Sequence, residues 1–332
     1  MSAPPLFEHQ AQSIDFMRGK PAIFDASDPG TGKTRSAIEV VRARIRADRR
    51  AVLVVAPKSL LRSAWHDDIV KYAPELITSV MYAENREKAF DAMADIYITN
   101  HDAVNWLVKQ PIKALKKRFS TMIIDESGAF KHATSLRSRA LRRIAPMFDF
   151  RECMNGTVSP NTILDAWHQY YLLDAGQRLG KSFYHFRNQV CAPHQVGPMP
   201  NMVKWEDKEG AEQVVATLVR DITIRHRFED CIDIPPNHEY TIKFIMKPKH
   251  RRAYAQMKTA QLALLDSGVV TAVNAAAVTT KLLQIASGAV YESEFRYHVV
   301  DEDRNELIMD LLSERDHSLV FFNWKHQKDQ LI

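Results

Sequence analysis

Ala22-Ile-Phe-Asp-Ala-Ser-Asp-Pro-Gly-Thr-Gly-Lys-Thr34 is the stretch from which the fold is read. It opens with an apolar run, passes through a glycine loop, and from Lys33 to Arg46 continues as a helical pattern. Strand, glycine loop and helix in that order form an anion cradle. Gly30 and Gly32 let the backbone turn tightly so that its N–H groups converge, and the helix adds its positive N-terminus. Pro29, Gly30, Thr31 and Gly32 line such a loop, Lys33 reaches the β- and γ-phosphates of a nucleotide, and the Thr34 hydroxyl suits Mg²⁺. The strict pattern asks for glycine at position 27, where this chain has Ser27. That departure weakens the pattern match and leaves the loop chemistry intact.

Short apolar runs at Ala22–Asp25, Ala51–Ala56, Ile96–Thr99, Thr121–Asp125 and Glu152–Met154 read as strands. Helical patterns at Lys33–Arg46, Leu60–Tyr72, Glu84–Ala94 and Leu136–Ile144 lie among them. The alternation predicts an α/β fold, a parallel sheet with flanking helices. Ligands of such sheets sit at the carboxyl ends of the strands, so the functional residues are expected just after strands. Thr121-Met-Ile-Ile-Asp-Glu126 meets that expectation. An apolar strand ends in two acids, Asp125 suited to Mg²⁺ and Glu126 to polarising an attacking water. An Asp-Glu pair after a strand is on its own a common loop start; the upstream phosphate loop gives it meaning.

From Asp165 to Arg227 the pattern changes to helices with loops, among them the proline-bearing loop Ala192–Pro200. Pro235-Pro236 reads as a boundary. Beyond it come a strand-like run, Tyr240–Met246, helices near Arg251–Leu265 and Ala275–Ala286, and an apolar run, Ser318–Asn323.

The bulk properties bound the function. The 332 residues are 45% hydrophobic and 26% charged, ordinary for a globular protein with a sizeable core. The most apolar long stretch, Gly268 to Val290, is broken by Asn274, Lys281 and Gln284, so no membrane span of about 20 apolar residues is expected. Cys153, Cys191 and Cys231 lie far apart without metal-ligand spacing, which points to a reducing, cytoplasmic setting. The net charge of +5 says little alone. Cationic clusters at Lys113–Arg118, Arg137–Arg143 and Lys247–Arg252 could neutralise phosphates, but taken alone they read better as solvated helix faces. No pair among His66, His101, His132 and His168 has metal-ligand spacing on one helix. Tyr170, Tyr171, Phe183, Tyr184 and Phe186 read as packing aromatics rather than base-stacking ones.

Further segments in order carry a resemblance. Leu6-Phe-Glu-His-Gln10, Val54-Val-Ala-Pro-Lys-Ser-Leu-Leu-Arg-Ser-Ala-Trp65, Ile98-Thr-Asn-His101 and Met154-Asn-Gly-Thr-Val-Ser-Pro-Asn161 join the two nucleotide motifs. Together they resemble superfamily 2 helicase-like ATPases, specifically the Swi/Snf-type branch of double-stranded-DNA translocases with its bacterial and phage members. The resemblance implies a RecA-like first motor lobe over residues 1–236, with a helical protrusion at about 163–235, and an incomplete second RecA-like lobe over 237–332. It implies ATP and Mg²⁺ as cofactors and duplex DNA as partner, in the cytoplasm, or that of a host if the chain is phage-encoded. Gln10 falls at the adenine-reading position, as a side-chain amide can pair with the N6 and N7 edge of adenine. Lys58, Ser59 and Arg62 (motif Ia) and Thr99 and Asn100 (motif Ib) fall at nucleic-acid contacts. Gly156 and Thr157 (motif III) fall at the coupling between nucleotide and strand. Motif II usually reads Asp-Glu-x-His, but Gly128 stands at the fourth position, so the family's side-chain contact from motif II to motif III lacks its usual residue. Lys131 falls where the branch places a lysine.

The motifs that supply an arginine finger in this branch have no counterpart before Ile332. Weak ATP binding, little DNA-stimulated turnover and exposed apolar surface around Leu319–Phe322 are therefore expected. A strand-separating helicase of the same superfamily and a non-hydrolysing nucleotide- and DNA-binding module remain as alternatives.

Overall fold

The computed structural model describes residues 4–159, 161–199, 202–231, 239–266, 272–293 and 296–332. Pro160 of the motif III segment and the Pro235-Pro236 boundary lie outside the described residues. The chain divides into two compact units, Met1–Pro235 and Pro236–Ile332.

The first unit is built on seven strands: β1 (Ala22–Asp25), β2 (Ala51–Ala56), β3 (Thr78–Met81), β4 (Ile96–Asn100), β5 (Phe119–Asp125), β6 (Phe150–Met154) and β9 (Thr223–Ile224). They form one sheet in the order β3-β4-β2-β5-β6-β1-β9, every pairing parallel. Helices cover it: α1 (Glu8–Met17), α2 (Lys33–Asp48), α3 (Asp67–Tyr72), α4 (Arg86–Asp91), α5 (Val104–Leu107), α6 (Ile112–Arg118), α7 (Leu136–Ile144), α8 (Leu164–Asp174), α9 (Phe183–Val190), α10 (Ala211–Val219) and the short α11 (Phe228–Cys231).

Parallel strands covered on both faces have no side that can be polar, and they read as continuous apolar runs. In β2 every residue is buried; Leu53 and Val55 enter one core cluster, Val52 and Val54 the other. The larger cluster packs β5 and β6 against α7 and α8, with Phe119, Leu141, Trp167 and Tyr170 among its members. The smaller packs α2 and α3 against the opposite face through Ile38, Leu61, Trp65 and Ile69.

The predicted strands match β1 and β2 end to end and the other three within two residues. Two strands went unread. β3 has four residues, one of them the buried Ser79, and β9 has two; both are defined by their neighbours rather than by a pattern of their own. The helix expected over Leu60–Tyr72 opens with a π-helical turn, Leu61–His66, before α3. The stretch read as the loop Ala192–Pro200 begins as strand, and Pro200 lies outside the described residues. β7 (Cys191–Gln195) pairs antiparallel with β8 (Val203–Asp207), Pro193 opposite Trp205. Both strands of a two-stranded ribbon are edges, where a proline costs no ladder bond on its outer side. The stretch Asp165–Asp174, matched to a helical protrusion, lies in α8, whose residues are nearly all buried against the sheet.

The second unit contains α12 (Pro248–Asp266), α13 (Ala272–Ala286), α14 (Asp303–Ser313), α15 (Lys325–Leu331) and the hairpin β10 (Ala289–Ser293)–β11 (Arg296–Val299). The strand-like run Tyr240–Met246 and the apolar run Ser318–Asn323 have no ladder partners among the described residues. An apolar run becomes a strand only where a neighbour takes up its backbone groups. Leu319 and Phe321 are 81% and 86% exposed.

Candidate nucleotide and nucleic-acid site

Because all seven strands are parallel, their carboxyl ends share one edge, and the sequence motifs gather there. The phosphate loop follows β1, Asn155-Gly156-Thr157 follows the adjacent β6, Asp125-Glu126 ends β5, Lys58-Ser59 follows β2, and Asn100 ends β4. Adjacent strands lie about 4.8 Å apart, so β1 and β5, flanking β6, are separated by roughly 10 Å. A nucleotide's phosphates and their metal fit that interval.

In the loop, Gly30 and Gly32 have φ of +87° and +76°, values at which a side chain is strained. Both are also hemmed in. A Cβ on Gly30 would meet the Phe228 ring at 2.8 Å, and one on Gly32 would meet Gln10 Nε2 at 2.3 Å. The Lys33 ammonium donates to the carbonyls of Ser27 at 2.6 Å and Asp28 at 3.1 Å, which pins it inside the loop. Thr31 is buried and its hydroxyl donates to the Asp28 carbonyl at 2.8 Å; Thr34 is part-exposed in the first turn of α2. Ser27, where the strict pattern has glycine, is buried and its Oγ accepts from the His226 N–H at 3.0 Å. Asp28 accepts from the Phe228 N–H at 3.2 Å, with Arg225 at 3.7 Å. The segment after β9 therefore closes over the phosphate loop, almost 200 residues away in sequence.

Gln10 is buried against Gly32, and its Oε1 accepts from the Phe7 N–H at 3.1 Å, capping α1. His9 meets the Thr31 carbonyl at 2.8 Å, so α1 is fastened to the loop by two side chains. Beside them lies a cavity of about 620 Å³ whose lining includes Phe7, His9, Arg225, His226 and Arg227. Phe7 stacks on His9 with ring centroids 5.8 Å apart, offering a flat apolar face beside cations. Arg225, His226 and Arg227 have no assigned role in the sequence, because they reach this cavity only when β9 pairs with β1.

Asp125 is 8% exposed and both its carboxylate oxygens are engaged. Oδ2 accepts from the Trp65 indole N–H at 2.9 Å, and Oδ1 from the Glu126 N–H at 3.0 Å. The ring of His101 meets the Asp125 carbonyl at 2.8 Å. Motif Ia, motif Ib and motif II are thus joined at one residue. Glu126 has φ +49° and ψ 53°, a left-handed conformation rarely taken outside glycine, and its side chain is exposed. Partial burial, and then the neighbouring Asp125 charge, push its carboxyl above the ordinary range, with Lys33 opposing.

The proposed coupling residues touch both neighbours. A Cβ on Gly156 would lie 2.9 Å from Pro29 of the phosphate loop. Across Gly128, where the family has a larger residue, lies Asn155; its Nδ2 would be 2.9 Å from a Cβ there and donates to the Thr157 carbonyl at 2.8 Å. The Asn155 side chain thus occupies the space that a side chain at position 128 would fill. Lys131 forms an ion pair with Asp165 of α8 at 3.1 Å.

Of the nucleic-acid residues, Lys58, Ser59 and Arg62 are exposed, and Asn100 is partly so. Thr99 is a correction. It is fully buried and its hydroxyl donates to the Met81 carbonyl at 3.1 Å, because position 99 of β4 faces into the sheet's cover. Its side chain cannot reach a phosphate. His168 is also structural: fully buried, 2.6 Å from the Phe130 carbonyl, its pKa lowered by burial to about 4. No helix among the described residues is long and apolar enough to cross a membrane.

Known proteins share this organisation. Residues 10–288 match the SNF2-related domain. Protein p41 of Acyrthosiphon pisum secondary endosymbiont phage 1 is 28% identical over 318 residues, covering 91% of this chain and 68% of that protein. A Bacillus subtilis protein, YwqA, whose name describes an ATP-dependent helicase/translocase, is 24% identical over 169 residues, 49% of this chain and 18% of its own. The Sulfolobus solfataricus SWI2/SNF2 ATPase core, solved in complex with dsDNA, shares the fold with a TM-score of 0.56 at 22% identity, covering 94% of this chain and 66% of that one.

Proposed function

The chain belongs to the SNF2-related domain family, and on that premise we propose that it binds Mg·ATP at the carboxyl edge of the sheet and uses its hydrolysis to drive movement along duplex DNA. The observation that carries the reading is the meeting of four motifs around two residues. Pro29 of the phosphate loop abuts Gly156, while Trp65, His101 and Glu126 converge on Asp125. A nucleotide at β1 and a strand of DNA at Lys58 and Arg62 would each press on the same short stretch of sheet edge.

In this assignment Gly30, Thr31 and Gly32 present backbone N–H groups to the phosphates, with Pro29 setting the turn before them. Lys33 exchanges its two carbonyl partners for phosphate oxygens. Gln10 holds α1 against Gly32 and belongs to the adenine pocket with Phe7. The residues present fit a magnesium ion: the Thr34 hydroxyl, just after the phosphate loop, and the Asp125 carboxylate, at the end of β5, are hard oxygen donors. Magnesium would supply charge neutralisation on the transferring phosphoryl group. Glu126 orients and deprotonates the attacking water. Gly156 and Thr157 transmit the state of the phosphate loop to the acids. Duplex DNA is the proposed partner, its phosphates met by Lys58, Ser59, Arg62 and Asn100 without base reading.

The test is release of phosphate from ATP with and without duplex DNA, beside equilibrium DNA binding. Stimulation by duplex over single-stranded DNA supports the translocase. Duplex unwinding at a matched rate transfers the reading to a strand-separating helicase, and binding of both ligands with no turnover to a non-hydrolysing module.

A further inference from the structure

The side chain of Gln169, on α8, is fully buried at the meeting point of two functional loops. Its Oε1 accepts from the Ser127 hydroxyl at 2.7 Å and from Asn155 Nδ2 at 3.4 Å. Its Nε2 donates to the Val158 carbonyl and to the Asp165 carbonyl, both at 2.9 Å. A carboxamide has two acceptor sites and two N–H donors, and here all are used. Ser127 directly follows Glu126; Asn155 and Val158 bracket Gly156 and Thr157. Asn155 also bonds through its own N–H to the Asp25 carbonyl of β1 at 3.1 Å.

We propose that Gln169 is a positioning residue that locks the loop bearing Glu126 to the loop bearing Gly156 and Thr157, so that the two shift as one body. The proposal rests on the reading of Glu126 and of the Gly156 loop given above. Three observations carry it. A buried carboxamide bridging two loops is rigid only when its hydrogen bonds are complete, and this one is complete. Glu126 sits in a left-handed conformation that the surrounding structure must hold, and the Ser127–Gln169 bond is the adjacent restraint. Gly128 leaves the space through which Asn155 joins the same amide. A chain without a bulky side chain at position 128 thereby recovers a link between these loops, routed through α8.

The experiment uses two variants of the 332-residue chain, Gln169→Leu and Gln169→Glu, each checked for an unchanged far-ultraviolet spectrum and thermal midpoint. Backbone amide exchange is read first, without nucleotide. In Gln169→Leu, protection falls together in residues 126–131 and 154–158 while the sheet strands keep theirs. Gln169→Glu supplies the signature that a packing role would not give. A protonated carboxyl still donates to the Val158 carbonyl while accepting from Ser127, and an ionised one only accepts, so residues 126–131 keep their protection while 154–158 keep theirs at low pH and lose it as pH rises. The wild type lacks that limb. Turnover, where the wild type has it, falls in Gln169→Leu by about 10²-fold, the loss expected for a reacting group displaced by ~1 Å, with KM for ATP unchanged. Loss of protection in one loop alone in Gln169→Leu, or Gln169→Glu following the wild type at every pH, overturns the proposal. A wild type without turnover bears on the proposed function only, because the exchange measurement decides the role of Gln169 by itself.

Discussion

At the residue scale, the proposed chemistry turns on Glu126 and on what holds Asp125. Glu126 acts as a base, so it works ionised. Partial burial, and then Asp125, raise its pKa in the nucleotide-free chain, which places the acid limb of turnover at low Mg·ATP (kcat/KM) at higher pH than an ordinary carboxylate near 4.3 would give. Turnover should climb with pH through that limb, and Glu126→Gln should bind ATP normally while hydrolysing it at least 10²-fold more slowly, read by single-turnover phosphate release. Trp65 is the second case. Its indole N–H is the side-chain donor to Asp125 Oδ2. Trp65→Phe keeps the ring and deletes the donor, freeing a carboxylate that must be fixed to take a metal. The Mg²⁺ concentration for half-maximal turnover should rise several-fold, and an unchanged Mg²⁺ titration in a folded variant would contradict the role. Lys33, Asp125 and Glu126 were legible in the sequence because their motifs are contiguous. Trp65 was quoted in its motif without a role, since its partner lies 60 positions away. Thr99 was misassigned for a related reason: a motif gives position, while burial depends on the strand's neighbours.

At the element scale, the sheet was readable because parallel strands buried on both faces carry continuous apolar runs, as β2 does throughout and β5 does from Met122 to Ile124. β3, β9 and the β7–β8 hairpin escaped because they are short or polar and exist through pairing. β6 holds an exception to its apolar surroundings. Glu152 is fully buried, and neither carboxylate oxygen has a hydrogen-bond partner among the described residues. Burial, and then the nearby Asp25, raise its pKa well above the ordinary value, with Arg44 opposing. The folded state thus keeps a proton that the unfolded chain releases near pH 4.3. Stability from this group is full below that value and declines as pH rises toward the folded pKa. Gln cannot titrate, so Glu152→Gln should flatten the fall of the thermal midpoint with pH, measured by calorimetry across the neutral range. Parallel curves for the two proteins would refute this.

At the scale of the whole molecule, the two units differ in how far the sequence foretold them. Met1–Pro235 carries the full sheet and the gathered motifs. In Pro236–Ile332, the helices at Pro248–Asp266 and Ala272–Ala286 were read, while the strand-like run Tyr240–Met246 and the apolar run Ser318–Asn323 have no ladder partner among the described residues. Apolar content alone could not separate a strand from an unpaired segment. On the first unit, Lys58 and Arg62 stand exposed at the site edge. Duplex DNA binding should weaken with salt, and replacing both by alanine should flatten the log–log slope by about 0.9 for each phosphate no longer neutralised. A wild-type slope near zero would exclude phosphate neutralisation as the source of affinity.

Every role proposed above depends on the loop after β1 being a nucleotide site anchored on Lys33, and calorimetric titration with Mg·ATP is the decisive measurement. Saturable binding to the wild-type chain is expected, with an affinity for Glu126→Gln within a few-fold of it and a loss of most binding in Lys33→Ala. Equal affinity in wild type and Lys33→Ala would contradict the assignment.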